Sequence, residues 1–111
     1  MRTRERVAVY FLVLVAHPKP SSADYGVEEG AFAACWVNAP DAETAELQAR
    51  VLLGEIGWDS DKVDQPPHVV ERERYEGDPA GLARFDQALQ DGVVITLNTW
   101  PVGAPDDDEQ D

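Results

Sequence analysis

The sequence predicts a small α+β domain over residues 1–100, a four-stranded mixed sheet with two helices on one face in the order β-β-α-β-α-β, followed by a disordered acidic tail over residues 101–111. Three observations predict it. Val7 to Ala16, VAVYFLVLVA, is ten apolar residues without a charge, rich in β-branched and aromatic side chains that suit a pleated strand. Residues 41–57 repeat apolar side chains at helical spacing between an N-cap aspartate and a terminating glycine. The last six residues, DDDEQD, hold five carboxylates and no apolar group, so nothing there offsets the entropy of ordering.

The ten-residue run is too short to cross a bilayer, which needs about 20 apolar residues. A secretory leader over residues 1–23 is the competing reading, with Arg2, Arg4 and Arg6 as its basic region and Ser21-Ser22-Ala23 as small residues before cleavage. Glu5 among the arginines, and valine and aromatics where leucine and alanine are usual, favour the strand. Val7, Val9, Phe11, Val13 and Val15 line one of its faces, and Ala8, Tyr10, Leu12, Leu14 and Ala16 the other. Both faces are apolar, as in a sheet interior with layers on each side.

His17 to Gly30 shows no periodicity and reads as a loop of about 14 residues, long enough to hold a binding element. Ala31 to Ala39 is the second strand, with small residues on one face and Phe32 and Trp36 on the other. Asp41 caps the first helix, whose stripe is Ala42, Ala45, Ala49, Leu52, Leu53 and Ile56; Gly57 ends it, and Trp58 falls where a Schellman ending places an apolar residue over Leu53. Residues 59–67 end in Pro-Pro and are excluded from a central strand. His68 to Tyr75, charged on both faces, reads as an edge strand. The second helix starts at Asp78-Pro79 and stops at Gly92; its stripe is Leu82, Phe85, Ala88 and Leu89. Val93 to Trp100 is the fourth strand. A right-handed crossover makes the third strand parallel to the second. In size and layering this is similar to ferredoxin-like α+β sandwiches, whose element order, β-α-β-β-α-β, differs.

Charge narrows the partners. The chain carries −13 with 9 basic and 22 acidic residues, and the body up to Trp100 remains acidic without the tail. Such a body repels phosphate backbones and anionic lipid, so neither nucleic acid nor a membrane surface is expected, whereas a basic protein is. The lone Cys35 permits no internal disulfide and agrees with a cytoplasmic location. In its apolar strand its thiol pKa should rise, which suits a core residue better than a nucleophile.

No catalytic motif is present, and neither a cofactor nor a metal is expected. Read as a calcium loop, Asp59-x-Asp61-x-x-Asp64 has Val63, Asp64 and Val70 where an oxygen ligand, glycine and glutamate belong. His17 and His68 lack any metal-binding spacing, and Tyr75, Glu76 and Asp78 fall at a helix cap rather than in an acid–base arrangement.

With both helices on the alanine side of the second strand, Phe32, Trp36 and Trp100 are left on an uncovered face, unless the loop carrying Tyr25 folds over it. The first expectation is a non-enzymatic binding module of inhibitor or immunity type, homodimeric through that face and engaging a basic protein. The alternative is a small-ligand site or enzyme with an apolar pocket on the same face, with Asn98 or Tyr10 as its polar contact. The tail is expected to be dispensable for folding: deleting residues 104–111 should shift stability by no more than about 0.5 kcal/mol in thermal melts. A drop of many degrees would mean that the tail docks on the body.

Overall fold

A computed structural model describes residues 8–103. The acidic tail from Ala104 on, and the arginine-rich start of the chain with Val7, lie outside the described residues. The chain forms β1 (Ala8–Pro18), β2 (Glu28–Ala39), α1 (Ala42–Glu55), β3 (Trp58–Val70), a 3-10 turn (Arg72–Tyr75), α2 (Pro79–Asp91) and β4 (Val93–Pro101). The order β-β-α-β-α-β is as the sequence predicts.

The sheet is antiparallel throughout, with strand order β3-β1-β2-β4. The expected mixed sheet is therefore corrected. β2 and β3 do run in the same direction, but β1 lies between them and is antiparallel to both. The α1 crossover spans one strand instead of joining neighbours. The order is not ferredoxin-like.

The helices lie on opposite faces, not on one. Strand register separates two cores. Leu12, Leu14, Cys35 and Val37 pack with Ala45, Ala49 and Leu53 of α1 and with Trp58, with Val93, Ile95 and Leu97 of β4 at the margin. Val9 and Trp36, from the alternate positions, pack with Val70, Tyr75 and with Phe85 and Ala88 of α2. The physical reason is β1: it is apolar on both sides, and helices on a single face would leave Val9 and Phe11 in water.

Local signals hold at the helix ends. Asp41 accepts from the Thr44 backbone N–H at 2.7 Å, which is the main reason that its carboxyl is held below the ordinary aspartate value. A depressed carboxylate pKa means that this cap is complete at neutral pH and is lost as acid protonates the group. Gly57, at φ 98°, closes α1 with its N–H on the Gly54 carbonyl, and Trp58 is buried beside Leu53 as the Schellman reading requires. Asp78 caps α2 through the Gly81 N–H, and Gly92 ends it at φ 95°. Arg72 donates two bonds to Asp86 at 3.1 Å and ties the 3-10 turn to α2.

Strand boundaries moved more. β3 begins at Trp58 and runs through Pro66-Pro67 to Val70, while residues 72–75 form the 3-10 turn instead of an extended edge. The prolines are tolerated because β3 is an edge and its register against β1 shifts three times, skipping Pro66 and Pro67. The β1–β2 connection is shorter than expected, residues 19–27, since both strands extend into it.

The attachment of the 3-10 turn and α2 to the sheet is directly testable. Trp36 Nε1 donates to the Tyr75 hydroxyl at 3.0 Å within the second core. Tyr75→Phe removes the acceptor and leaves a buried indole N–H unpaired, which should cost about 1–3 kcal/mol in chemical denaturation. A change below about 0.5 kcal/mol would mean that water replaces the hydroxyl.

Candidate binding site

α2 covers only part of its face. At the end of the sheet bearing Val9, Trp36 and Val94 it excludes solvent; at the other end, where β1 turns into β2, the face stays open. The open part is built from alternate positions of three strands. Val13 and Val15 come from β1, Phe32 and Ala34 from β2, Thr96, Asn98 and Trp100 from β4, all on one side because Val15 pairs with Phe32 and Phe32 with Asn98. Phe32 is 42% exposed and its ring lies 5.3 Å from that of Trp100. A groove of about 440 Å³ runs from Phe32 across Val13 to Asp64 and Gln65.

Trp100 is held by an absence. Its indole lies on Gly30, where an added Cβ would come within 2.4 Å of Cζ2. Gly30 has ordinary strand geometry, so its missing side chain matters here for space rather than for backbone freedom.

The same end of the sheet concentrates exposed apolar groups and carboxylates at the β1–β2 turn. Tyr25, Val27 and Val102 are each more than half exposed, and the Val102 N–H bonds the Val27 carbonyl at 2.9 Å, so β4 ends against the turn. A hollow of about 600 Å³ lies among His17, Tyr25, Glu28, Glu29 and Val102. His17 bonds Asp61 at 2.7 Å and approaches Asp59 at 3.8 Å, while Lys19 lies 3.9 Å from Asp59. Six carboxylates, Asp24, Glu28, Glu29, Asp59, Asp61 and Asp64, lie at this end, with His17, Lys19 and Lys62 as the basic groups among them.

The residue 19–27 connection does not close over Phe32. It turns to the α1 side, where Lys19 N–H bonds the Gly57 carbonyl at 2.8 Å and Asp24 accepts from Trp58 Nε1 at 3.3 Å. Buried Trp58 anchors it there, and Tyr25 remains outside.

Of the five side chains expected on one face, Phe32, Asn98 and Trp100 are brought together. Trp36 shares their face but is buried beneath Tyr75, with its ring 5.0 Å from Phe11. Tyr10 is on the α1 side, half-buried against that core, since it alternates with Phe11. The groups missed by sequence, Val13, Thr96, Val27 and Val102, are ordinary strand and turn residues with no motif to flag them.

Chemistry at the remaining candidates is limited. Burial pushes the Cys35 thiol up to about 12, so it is un-ionised at neutral pH, and Sγ donates to the Ala33 carbonyl at 3.4 Å. Among the described residues no group of three or more His, Cys, Asp or Glu is placed to hold a metal ion, and no helix is long and apolar enough to cross a membrane. No family model matches the chain, and neither the curated proteins nor the solved structures searched yielded a match.

The seat of Trp100 gives a clean experiment. Gly30→Ala should displace the indole, red-shift the tryptophan emission and cost about 1–3 kcal/mol as an overpacked contact. In a Trp100→Phe background the spectral shift should vanish, because Trp36 and Trp58 are both buried elsewhere.

Proposed function

We propose that this protein is a non-enzymatic acidic binding module that holds a basic segment of a partner protein at the open end of its sheet, as an inhibitor or immunity-type protein does. The observation that carries the reading is the coincidence, at one end of the molecule, of exposed Phe32, Tyr25, Val27 and Val102 with Glu28, Glu29, Asp59, Asp61 and Asp64. Arginine and lysine side chains suit such a surface: the aliphatic stem lies on apolar groups or an aromatic face while the head meets a carboxylate. Net charge of −13 supports the same partner through long-range steering. With α2 over the other half of this face, the part that remains is assigned to the basic partner and not to a second copy. A reducing compartment, the cytoplasm, suits the free Cys35 of the proposed module.

The small-ligand alternative is weaker. Of the two candidates for its polar contact, Tyr10 is on the far face and Asn98 is exposed.

Titration with synthetic Lys/Arg-rich peptides carrying one aromatic residue, followed by Trp100 emission and by NMR, tests the proposal. Binding should perturb Phe32, Tyr25 and Glu28, and weaken by about tenfold or more when NaCl is raised from about 50 to 500 mM. Phe32→Ser, and separately Glu28→Gln with Glu29→Gln, should each weaken it by about 0.5–2 kcal/mol. Equal response to an acidic peptide of the same length, or shifts confined to α1, would sink the reading.

A further inference from the structure

The two edges of the sheet are unlike. β3 carries Asp59, Asp61, Lys62, Asp64, Pro66 and Pro67 and three register shifts, the devices that discourage further strand pairing. β4, at the opposite edge, is VVITLNTWP: nine residues without a charge and without a register shift from Gly30–Trp100 to Val37–Val93. A long, regular, uncharged edge is a template for another strand.

The register shows which backbone groups are free. The Asn38 N–H donates to the Gly92 carbonyl at 2.8 Å, which makes that pair a hydrogen-bonded one. Antiparallel pairs alternate, so Val94, Thr96, Asn98 and Trp100 exchange bonds with β2, while Val93, Ile95, Leu97 and Thr99 direct N–H and C=O away from the sheet. Beside this edge, on the α1 side, Leu47 and Val51 are each more than half exposed, and with Leu52 and Val93 they line a groove of about 450 Å³ that Gln48, Glu55 and Asp91 border.

We infer that β4 is the seam of a homodimer, at which a second copy of this chain adds its own β4 antiparallel and extends the sheet to eight strands. A twofold axis at Thr96 pairs Val93 with Thr99 and Ile95 with Leu97 and uses all four outward sets of donors and acceptors. The choice of a second copy rests on charge. In a chain of −13 another copy is repelled over most of the surface, and residues 92–105 form an uncharged stretch that opposes no carboxylate to its own image. Asp91, the next acid along the strand, falls opposite Pro101 of the second copy. The same axis puts both α1 helices on one side of the joined sheet, where the Leu47–Val51 sides flank the seam. The inference is independent of the proposed basic partner, which is assigned to side chains of the open face around Phe32 and the β1–β2 turn, whereas the seam is formed by the outward backbone groups of β4.

Salt separates the two ideas. Screening the mutual repulsion should tighten the dimer as NaCl rises, whereas it weakens capture of a basic peptide. Sedimentation equilibrium on the full chain at about 50 and 500 mM NaCl should show a dimer at micromolar concentration, tighter at high salt, with a melting temperature that rises with protein concentration. Thr99→Pro removes an outward N–H at an exposed position and no bond to β2; Thr96→Lys sets two cations face to face at the axis. Each should raise the dissociation constant by about tenfold or more with far-UV circular dichroism unchanged. A monomer at about 100 μM in both salts overturns the inference. So does a dimer that keeps wild-type affinity in both β4 variants, or one dissociated by Phe32→Ser in their place.

Discussion

Everything in this fold depends on a strand that must be dry on both sides. β1 is flanked by β2 and β3 and covered by α1 on one face and, over half its length, by the 3-10 turn and α2 on the other. Burying Leu12, Leu14 and Ala16 on one face and Val9 and Val13 on the other needs a layer above and a layer below, which is why one short chain builds three layers. The second β-α-β passage follows from it. The chain leaves β3 at one edge and crosses beneath the sheet as α2, then returns as β4 at the opposite edge.

Incomplete cover is what leaves open the surface proposed for recognition. α2 has 13 residues and shields the Trp36 end, so the other end keeps Phe32 and Trp100 accessible. Trp58 draws the β1–β2 connection to the α1 side, and this removes a segment long enough to have closed the gap. Carboxylates at the starts of β2 and β3 lie at the same end of the sheet as these aromatic groups.

Much was legible in the residues. The capping aspartates at 41 and 78, the terminating glycines at 57 and 92, and the burial of Trp58 in the same core as Leu53 are decided within a few residues of chain, so spacing alone finds them. Strand assignment failed where the reason is long-range. Pro66-Pro67 reads as a break, and is one in any central strand; it is absorbed by β3 because that strand pairs on one side only and bulges there. Residues 72–75, whose charges alternate like those of an edge strand, turn instead to bring Tyr75 over Trp36.

By itself the sequence determined the element order, the helix limits, the acidic surface and the burial of β1, because each follows from local periodicity, capping and composition. It also held the clue to the layers, since a strand apolar on both faces demands cover on both. Tertiary structure alone decided that α1 and α2 separate to opposite faces, that β1 lies between β2 and β3, and that Tyr10 and Trp36 leave the group to which Phe32, Asn98 and Trp100 belong. Those outcomes depend on which strands pair and on where each connection crosses the sheet. Nothing within reach of one residue's neighbours in sequence encodes them, because side-chain alternation says that two faces exist and not which helix covers either.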